Sequence, residues 1–488
     1  MKKILVSLIG CFMAICAHAA QIVNVDYVHK LIAQKWDISV PIKADNPMQV
    51  ANMKYLLTAI DVANEILNGE KTTDYGNGEF ATTQIADTTA TNTAVETLIK
   101  KEQKHEFTLT TTSTNSFSFS ISAAGEFVVD WGDGTVETIT KPDTTNTTYT
   151  HNYDTAGAYT IGLSGQATAY NIDPYTAAIG FIDNVAYEFE STRKIASING
   201  SLGAIFGTLP DATEKQPRFY RTFFNAFNMT GSIPKNLFAG ISGAPASYMF
   251  SGTFQGCSKL TSIPAGLFAG ISGAPAEGMF FGTFNRCRGL TSIPAGLFAG
   301  ISGTPADSMF NSTFYECSGL TGAIPDGLFG NLTSAPAEDM FASTFYYCSG
   351  LTGAIPDGLF GNLTGAPAYG MFSYTFSGCS GLTGAIPDGL FGNLTGAPAE
   401  DMFRGTFYGC SGLTSIPENL FGNISGTAQI QMFDGMFRGC TSLTGPSARI
   451  NGQYLYEIWP SATTSQVNDM YYNATGLSDY SNIPSAWK

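Results

Sequence analysis

Seven cysteines recur in register along the second half of this 488-residue chain: Cys257, Cys287, Cys317, Cys348, Cys379, Cys410 and Cys440, spaced 30 or 31 residues apart. Thiols can cross-link, bind zinc or act as nucleophiles. Zinc ligands gather in short pairs, and an odd set at uniform spacing is no disulfide framework. The array contains no His, which counts against an enzyme. Each cysteine fills one slot of a repeated stretch, Met-Phe-x-x-Thr-Phe-x-x-Cys-x-x-Leu-Thr-x-Ile-Pro, as in residues 279–294. At the two ends of the array Phe227 and Ala474 are read in that slot. A slot that takes Phe or Ala is a packing position, so the seven thiols read as a buried structural ladder. Disulfides between neighbouring turns are the alternative, with parallel Cβ vectors against them.

The positions just before each cysteine vary: Gln255-Gly256, Asn285-Arg286, Tyr315-Glu316, Tyr346-Tyr347, Ser377-Gly378 and Tyr408-Gly409, with Tyr374 nearby. Tyrosine joins apolar area to a hydroxyl, which suits a protein or glycan ligand. Tyr315, Tyr346, Tyr347, Tyr374 and Tyr408 are therefore the candidate ligand-binding residues. The competing reading is that these rings stack on one another and cover the layer beneath.

Other chemistry is sparse. Asp130 and Asp133 flank Trp131, but calcium takes about 6–8 oxygen ligands, and two carboxylates beside Gly132 and Gly134 read as a turn device. His151 has no Ser or Cys nucleophile beside it. Acids such as Asp357 and Asp388 recur after Ile-Pro, a slot for solvated turn residues. No catalytic residue, metal or cofactor is expected, and an enzyme is the least favoured class.

Each copy divides into three parts. Pro398 and the acids Glu400 and Asp401 suit the first turn of a helix, and Met402, Phe403, Phe407 and Cys410 then fall near one helical face. Leu413 and Ile416 extend up to Pro417, and Leu420, Phe421 and Ile424 form a second apolar turn. The 31-residue copies read Leu320-Thr321-Gly322-Ala323-Ile324-Pro325 where others read Leu290-Thr291-Ser292-Ile293-Pro294. One added residue flips the later side chains of a strand, so the strand ends after Thr321 or a bulge absorbs the insertion. A single copy cannot bury its apolar residues alone, and stacking is a condition of folding. The expectation is an α/β repeat solenoid of about nine turns over residues 219–488.

The pattern Phe-x-x-Cys-x-x-Leu-x-x-Ile-Pro resembles the leucine-rich repeats of BspA-type bacterial surface proteins, over about half of the chain. The copies here are longer than is usual in that family, through the added Ala-Gly-Leu-Phe-Ala-Gly-Ile-Ser-Gly segment. The resemblance implies adhesion to host proteins, other bacteria or matrix.

Upstream, Lys2 and Lys3, an apolar run over residues 4–15 and Ala17-His18-Ala19 read as a signal peptide cleaved after Ala19. Leu8-Ile9-Gly10-Cys11 offers a lipoprotein cleavage site as the alternative, with a lipid on Cys11. Residues 20–104 read as a helical stalk. Tyr27, Val28, Leu31, Ile32 and Trp36 recur at helical spacing, and Asn46 and Pro47 open a second helix that ends at Gly69. Residues 70–93 read as a linker, and residues 94–103 as a short helix. These helices offer a surface for oligomerisation. Over residues 105–166, Phe107, Leu109, Phe117, Phe119 and Ile121 alternate with polar residues at strand spacing. Trp131-Gly132-Asp133-Gly134, His151-x-Tyr153 and Gly157-x-Tyr159-x-Ile161 resemble a PKD-type domain, which implies a small β-sandwich. Residues 167–218 read as a connector with strands around Phe181 and Tyr187, and Ile195, Ile198, Leu202 and Ile205 as the start of the solenoid.

A net charge of −15 disfavours nucleic acid and anionic membranes, whose phosphates need a Lys/Arg excess. No segment beyond the signal region supplies the ~20 apolar residues of a membrane span. The sequence therefore predicts a secreted or cell-surface adhesion protein that binds a host or bacterial surface protein or glycan. A structural surface-layer or assembly component is the alternative.

Overall fold

A computed structural model divides the chain into two compact units, residues 1–104 and 105–488. The structure describes residues 105–181, 190–212 and 214–488, and two strands of the first unit. Those strands, β1 (Glu70–Asp74) and β2 (Phe80–Gln84), pair antiparallel, Glu70 opposite Gln84 and Asp74 opposite Phe80. This hairpin replaces part of the expected linker in the stretch read as a helical stalk. The signal segment and the helices expected over residues 20–69 and 94–103 lie outside the described residues.

The second unit begins with strands whose apolar residues alternate. These are β3 (Phe107–Thr111), β4 (Thr114–Ile121), β5 (Ala124–Asp130), β6 (Val136–Lys141), β7 (Thr147–Gly157), β8 (Thr160–Ala169), β9 (Ile179–Gly180) and β10 (Ile195–Gly200). They form an antiparallel five-stranded sheet, β10-β3-β8-β5-β6, and a three-stranded sheet, β7-β4-β9. Period-two alternation turns Phe107, Leu109, Phe127, Val129, Ile161 and Leu163 inward from the first sheet, and Phe117, Phe119 and Ile121 from the second. Aromatic contacts join them, with Phe119 5.4 Å from Trp131 and Phe107 6.1 Å from Phe181. The β-region runs past residue 166. Ile195 and Ile198 belong to β10, paired with β3, instead of starting the solenoid.

The array is a β-solenoid of about seven cysteine-bearing turns, with little helix. The helix expected through Met402, Phe403, Phe407 and Cys410 does not form, so the α/β leucine-rich-repeat architecture is corrected. Every fourth residue of that segment has a left-handed backbone. In one turn these are Asp339, Ser343 and Tyr347 (φ 49, 55 and 53°), and in another Asp401, Gly405 and Gly409 (φ 54, 55 and 72°). An α-helix requires negative φ throughout and N–H bonds to the fourth residue back. Here the N–H groups of Ala342, Thr344, Tyr346 and Cys348 reach only three residues back, to the carbonyls of Asp339, Phe341, Ser343 and Phe345. The intervening N–H groups of Asp339, Phe341, Ser343, Phe345 and Tyr347 donate at 2.7–3.0 Å to Tyr369, Met371, Ser373, Thr375 and Ser377 of the next turn. The segment is a chain of tight turns that pairs with its neighbours as a parallel strand would.

Elsewhere in each turn short strands continue the pairing. Ser302–Gly303, Asn331–Ser334, Asn362–Gly365, Asn393–Gly396 and Asn423–Ile424 form one parallel sheet. The inserted residue is absorbed by bulges. Pairing shifts register between Gly384 and Ala385 where they meet Leu413–Ser415, the junction of a 31-residue and a 30-residue copy. The first copy, Met229-Thr230-Gly231-Ser232-Ile233-Pro234, carries the same insertion and makes the same shift against Leu260–Ser262.

Like side chains stack in columns inside. One runs from Phe219 through Phe250, Phe280, Phe310, Phe341, Phe372 and Phe403 to Phe433, with nearly parallel rings. A second runs from Phe223 and Phe254 to Phe437 and ends on Tyr471, 5.7 Å away. These columns correct the register of the first copy: Phe223 aligns with Phe254, so Ala226 fills the cysteine slot, while Phe227 is exposed. Both ends are covered. Phe181 stacks on Phe223 at 5.3 Å, and the Thr222 hydroxyl donates to the Ile179 carbonyl, so β9 lies on the first turn. At the other end Trp487 is buried, and its carbonyl accepts the Tyr471 N–H.

A β-branched side chain in the left-handed region is strained. Ser343→Val is expected to cost about 1–2 kcal/mol, while Ser343→Gly should hold stability. The denaturation midpoints of the two variants check the turn geometry against a helical one, in which Gly would be the worse residue.

Candidate functional site

Because two residues of each four-residue step face inward, the left-handed residue and the one before it point away from the core, although Ser251, Ala342, Ser373, Ser377 and Asp401 are buried there. The turn-ladder face therefore presents three left-handed columns and three columns that precede them. All five candidate tyrosines stand here. Tyr347 and Tyr374 are themselves left-handed, while Tyr315, Tyr346 and Tyr408 precede left-handed residues. Four of them touch: Tyr315 stacks on Tyr346 at 4.7 Å and 10°, Tyr346 meets Tyr347 at 4.6 Å, and Tyr346 meets Tyr374 edge-on at 6.1 Å. Tyr408 joins the face through Arg438, whose guanidinium lies 5.7 Å from its ring and 4.7 Å from Tyr472.

Glycines in the neighbouring turn make room for these rings. A Cβ on Gly378 would stand 3.1–3.2 Å from three carbons of the Tyr347 ring, and one on Gly405 would stand 2.5 Å from Tyr374. Tyr248 uses Gly278 in the same way. Tyr347 remains 49% exposed, so its outward surface is open.

Charged groups border the rings. Arg286 lies 5.9 Å from the Tyr315 ring and Arg404 5.4 Å from the Tyr374 ring. Arg404 also approaches Asp401 and Asp434, each at 3.5 Å. Arg288 pairs with Glu316, and although partial burial opposes it, this contact with Arg286 alongside holds the Glu316 carboxyl below its ordinary range. Burial pushes the Asp339 carboxyl up, and the nearby Glu338, Asp401 and Asp307 add to the effect. Sequence reasoning missed Tyr248, Phe281, Tyr369, Tyr472, Arg404 and Arg438. Their signal was register, since each stands in or just before a left-handed column.

The cysteine slot faces the other way. All seven thiols are fully buried and free, and burial pushes each of them up, Cys440 to about 12. Each S–H donates to a Phe carbonyl of the preceding turn, as Cys348 does to Phe314 at 3.0 Å. Thr344 in the adjacent row lies 3.0 Å from the Phe310 carbonyl and 2.8 Å from that of Phe341.

In the β-region, the carboxylates of Asp130 and Asp133 accept the N–H groups of Gly132 and Thr135, both at 2.9 Å. His151 stacks 5.0 Å from the Trp131 ring and bonds Asp133 at 2.7 Å. The Tyr153 hydroxyl donates to the Trp131 carbonyl. Among the described residues no group of three or more His, Cys, Asp or Glu gathers to hold a metal. No helix among them is long and apolar enough to cross a membrane.

With the geometry in place, comparison finds no matching family model, curated protein or solved structure.

Two measurements probe these placements. A thiol reagent applied to the protein lacking residues 1–19 should find no reactive cysteine in the native state and all seven after denaturation without reductant. Partial burial tends to raise the Asp133 carboxyl, but bonds from His151 and Thr135 outweigh it and hold the group below its ordinary value. A lowered folded-state value stabilises above the unfolded Asp value, near pH 3.9, and that contribution is lost as pH falls through the folded value. Asp133→Asn should therefore lower the denaturation midpoint at neutral pH and flatten its decline on acidification.

Proposed function

We propose that the protein is a secreted or cell-surface binding protein whose solenoid engages a protein or glycan through the turn-ladder face. One observation carries this reading. Six of the seven exposed large hydrophobic residues of the array, Phe281, Tyr347, Tyr369, Tyr408, Ile430 and Tyr472, stand on that face. The seventh is Phe227, in the first turn. A repeated core needs only its interior positions, so residues that differ between copies yet gather aromatic and Arg side chains on one face have the composition of a recognition surface. The repeat's resemblance to BspA-type surface proteins supports adhesion as the setting, and the signal-peptide pattern supports export. In this reading the PKD-like β-region and the segment before it act as spacer.

The test is an array of extracellular proteins and glycans probed with the full chain lacking residues 1–19. The triple substitution Tyr346→Ala, Tyr347→Ala and Tyr408→Ala should weaken captured ligands by about tenfold or more without moving the melting temperature. Unchanged binding would remove this face from the function.

A further inference from the structure

We infer that the turn-ladder face takes a neutral, extended polysaccharide chain lying along the solenoid axis across Tyr347 and Tyr374. This rests on the binding role proposed above and names its ligand class.

The first argument is ring orientation. A tyrosine standing out from a surface offers an edge, whereas a sugar's C–H face needs a flat aromatic face. Tyr347 is laid over the backbone of the next turn, where Gly378 has no side chain to lift it, and its other side is half-exposed. Tyr374 is seated over Gly405 one turn further along and one left-handed column across, with the Arg404 guanidinium over its ring at 5.4 Å. The seats are built by the left-handed columns, so they hold the rings before any ligand arrives.

The second argument is pitch. Turns joined by a parallel hydrogen-bond ladder repeat at about 4.8 Å, and the Tyr315 and Tyr346 rings of successive turns lie 4.7 Å apart. An extended polypeptide advances about 3.3 Å per residue and shows the same face every two residues, about 6.6 Å, so it falls out of step within two turns. An extended chain of β-linked hexoses advances by close to one solenoid turn per sugar. A ligand of matching period keeps step with the turns, meeting Tyr347 in one turn and Tyr374, one column across, in the next.

The third argument is charge. Asp307, Glu338, Asp339, Glu400 and Asp401 run in one strip of this face. That strip repels uronate- or sulfate-bearing chains. Its carboxylates, with Arg404 beside Tyr374, supply the acceptors and donors that sugar hydroxyls need.

Calorimetric titration of the full chain lacking residues 1–19 tests this. The probes are cello-, manno- and chito-oligosaccharides of increasing length, with heparin and oligolysine for comparison. Affinity for a neutral series should rise with length until the chain spans the turns from Tyr315 to Tyr408. Tyr347→Ala and Tyr374→Ala should each lower it by about tenfold, while Tyr347→Phe retains it, with melting temperatures unchanged. The inference is overturned if no neutral oligosaccharide binds, if binding survives both alanine variants, or if heparin or oligolysine binds most tightly. A protein captured on the array and lost in the triple tyrosine variant, with no neutral oligosaccharide bound, sinks the glycan and leaves the binding role standing. Absence of any tyrosine-dependent ligand sinks both.

Discussion

A left-handed residue at every fourth position decides the direction of each backbone amide in the longest segment of the repeat. It stops the tight turn from continuing as a helix and sends alternate N–H groups out of the turn, parallel to the solenoid axis. The carbonyls divide in the same way. Those of Met340, Ala342 and Thr344 accept from the preceding turn, and those of Phe341, Ser343 and Phe345 accept from within their own. Few backbone groups are left over, which a buried segment requires. Non-glycine residues in this conformation carry roughly 1–2 kcal/mol of strain each, so the arrangement persists only where neighbouring turns supply partners on both sides.

Dependence on neighbours explains the ends. A first turn with nothing before it would expose Phe219 and Phe223 and leave the hydrogen-bonding edge of its turns unpaired. The β-region covers it through Phe181 and Ile179, and the short helix α-like turn Leu202–Ile205 brings Gly203 against the Leu237 carbonyl. At the far end the side chains change from Phe to Tyr471, whose hydroxyl accepts the Ala448 N–H, and the chain folds back over it. The cysteine slot changes to Ala226 and Ala474, where a thiol has either no earlier turn of the array to donate to or no later one to pack beneath.

Much of this was legible in the sequence. Repeat length, the stacked core and the alternating strands of the β-region follow from spacing, while the inward cysteine slot was inferred from the end copies, of which Ala474 fills that slot and Phe227 does not. The helix was misread because Met402, Phe403, Phe407 and Cys410 satisfy a 3.6-residue period nearly as well as a four-residue one. The deciding signal was Gly405 and Gly409, and Gly252, Gly256, Gly278 and Gly282 in other copies, at sites where a helix would disfavour them. Phe227 was misplaced by one residue because the first copy has Arg218 in place of Met, and only ring stacking fixes its register. The tyrosines were found by their variability. Their seats were not, since a glycine 31 residues away becomes a neighbour only once the turns are stacked.

The bulges that reconcile 30- and 31-residue copies also bear on how such an array changes over generations. Each mismatch is confined to one junction, so a whole turn gained or lost by unequal crossing-over leaves the rest of the stack in register. A duplicated turn next to its parent needs no bulge at all, and three of the four copies that carry the insertion lie side by side. Length is therefore the trait this architecture can vary most readily. Point changes in the outward columns can then give a newly copied turn its own surface without disturbing the core it inherited.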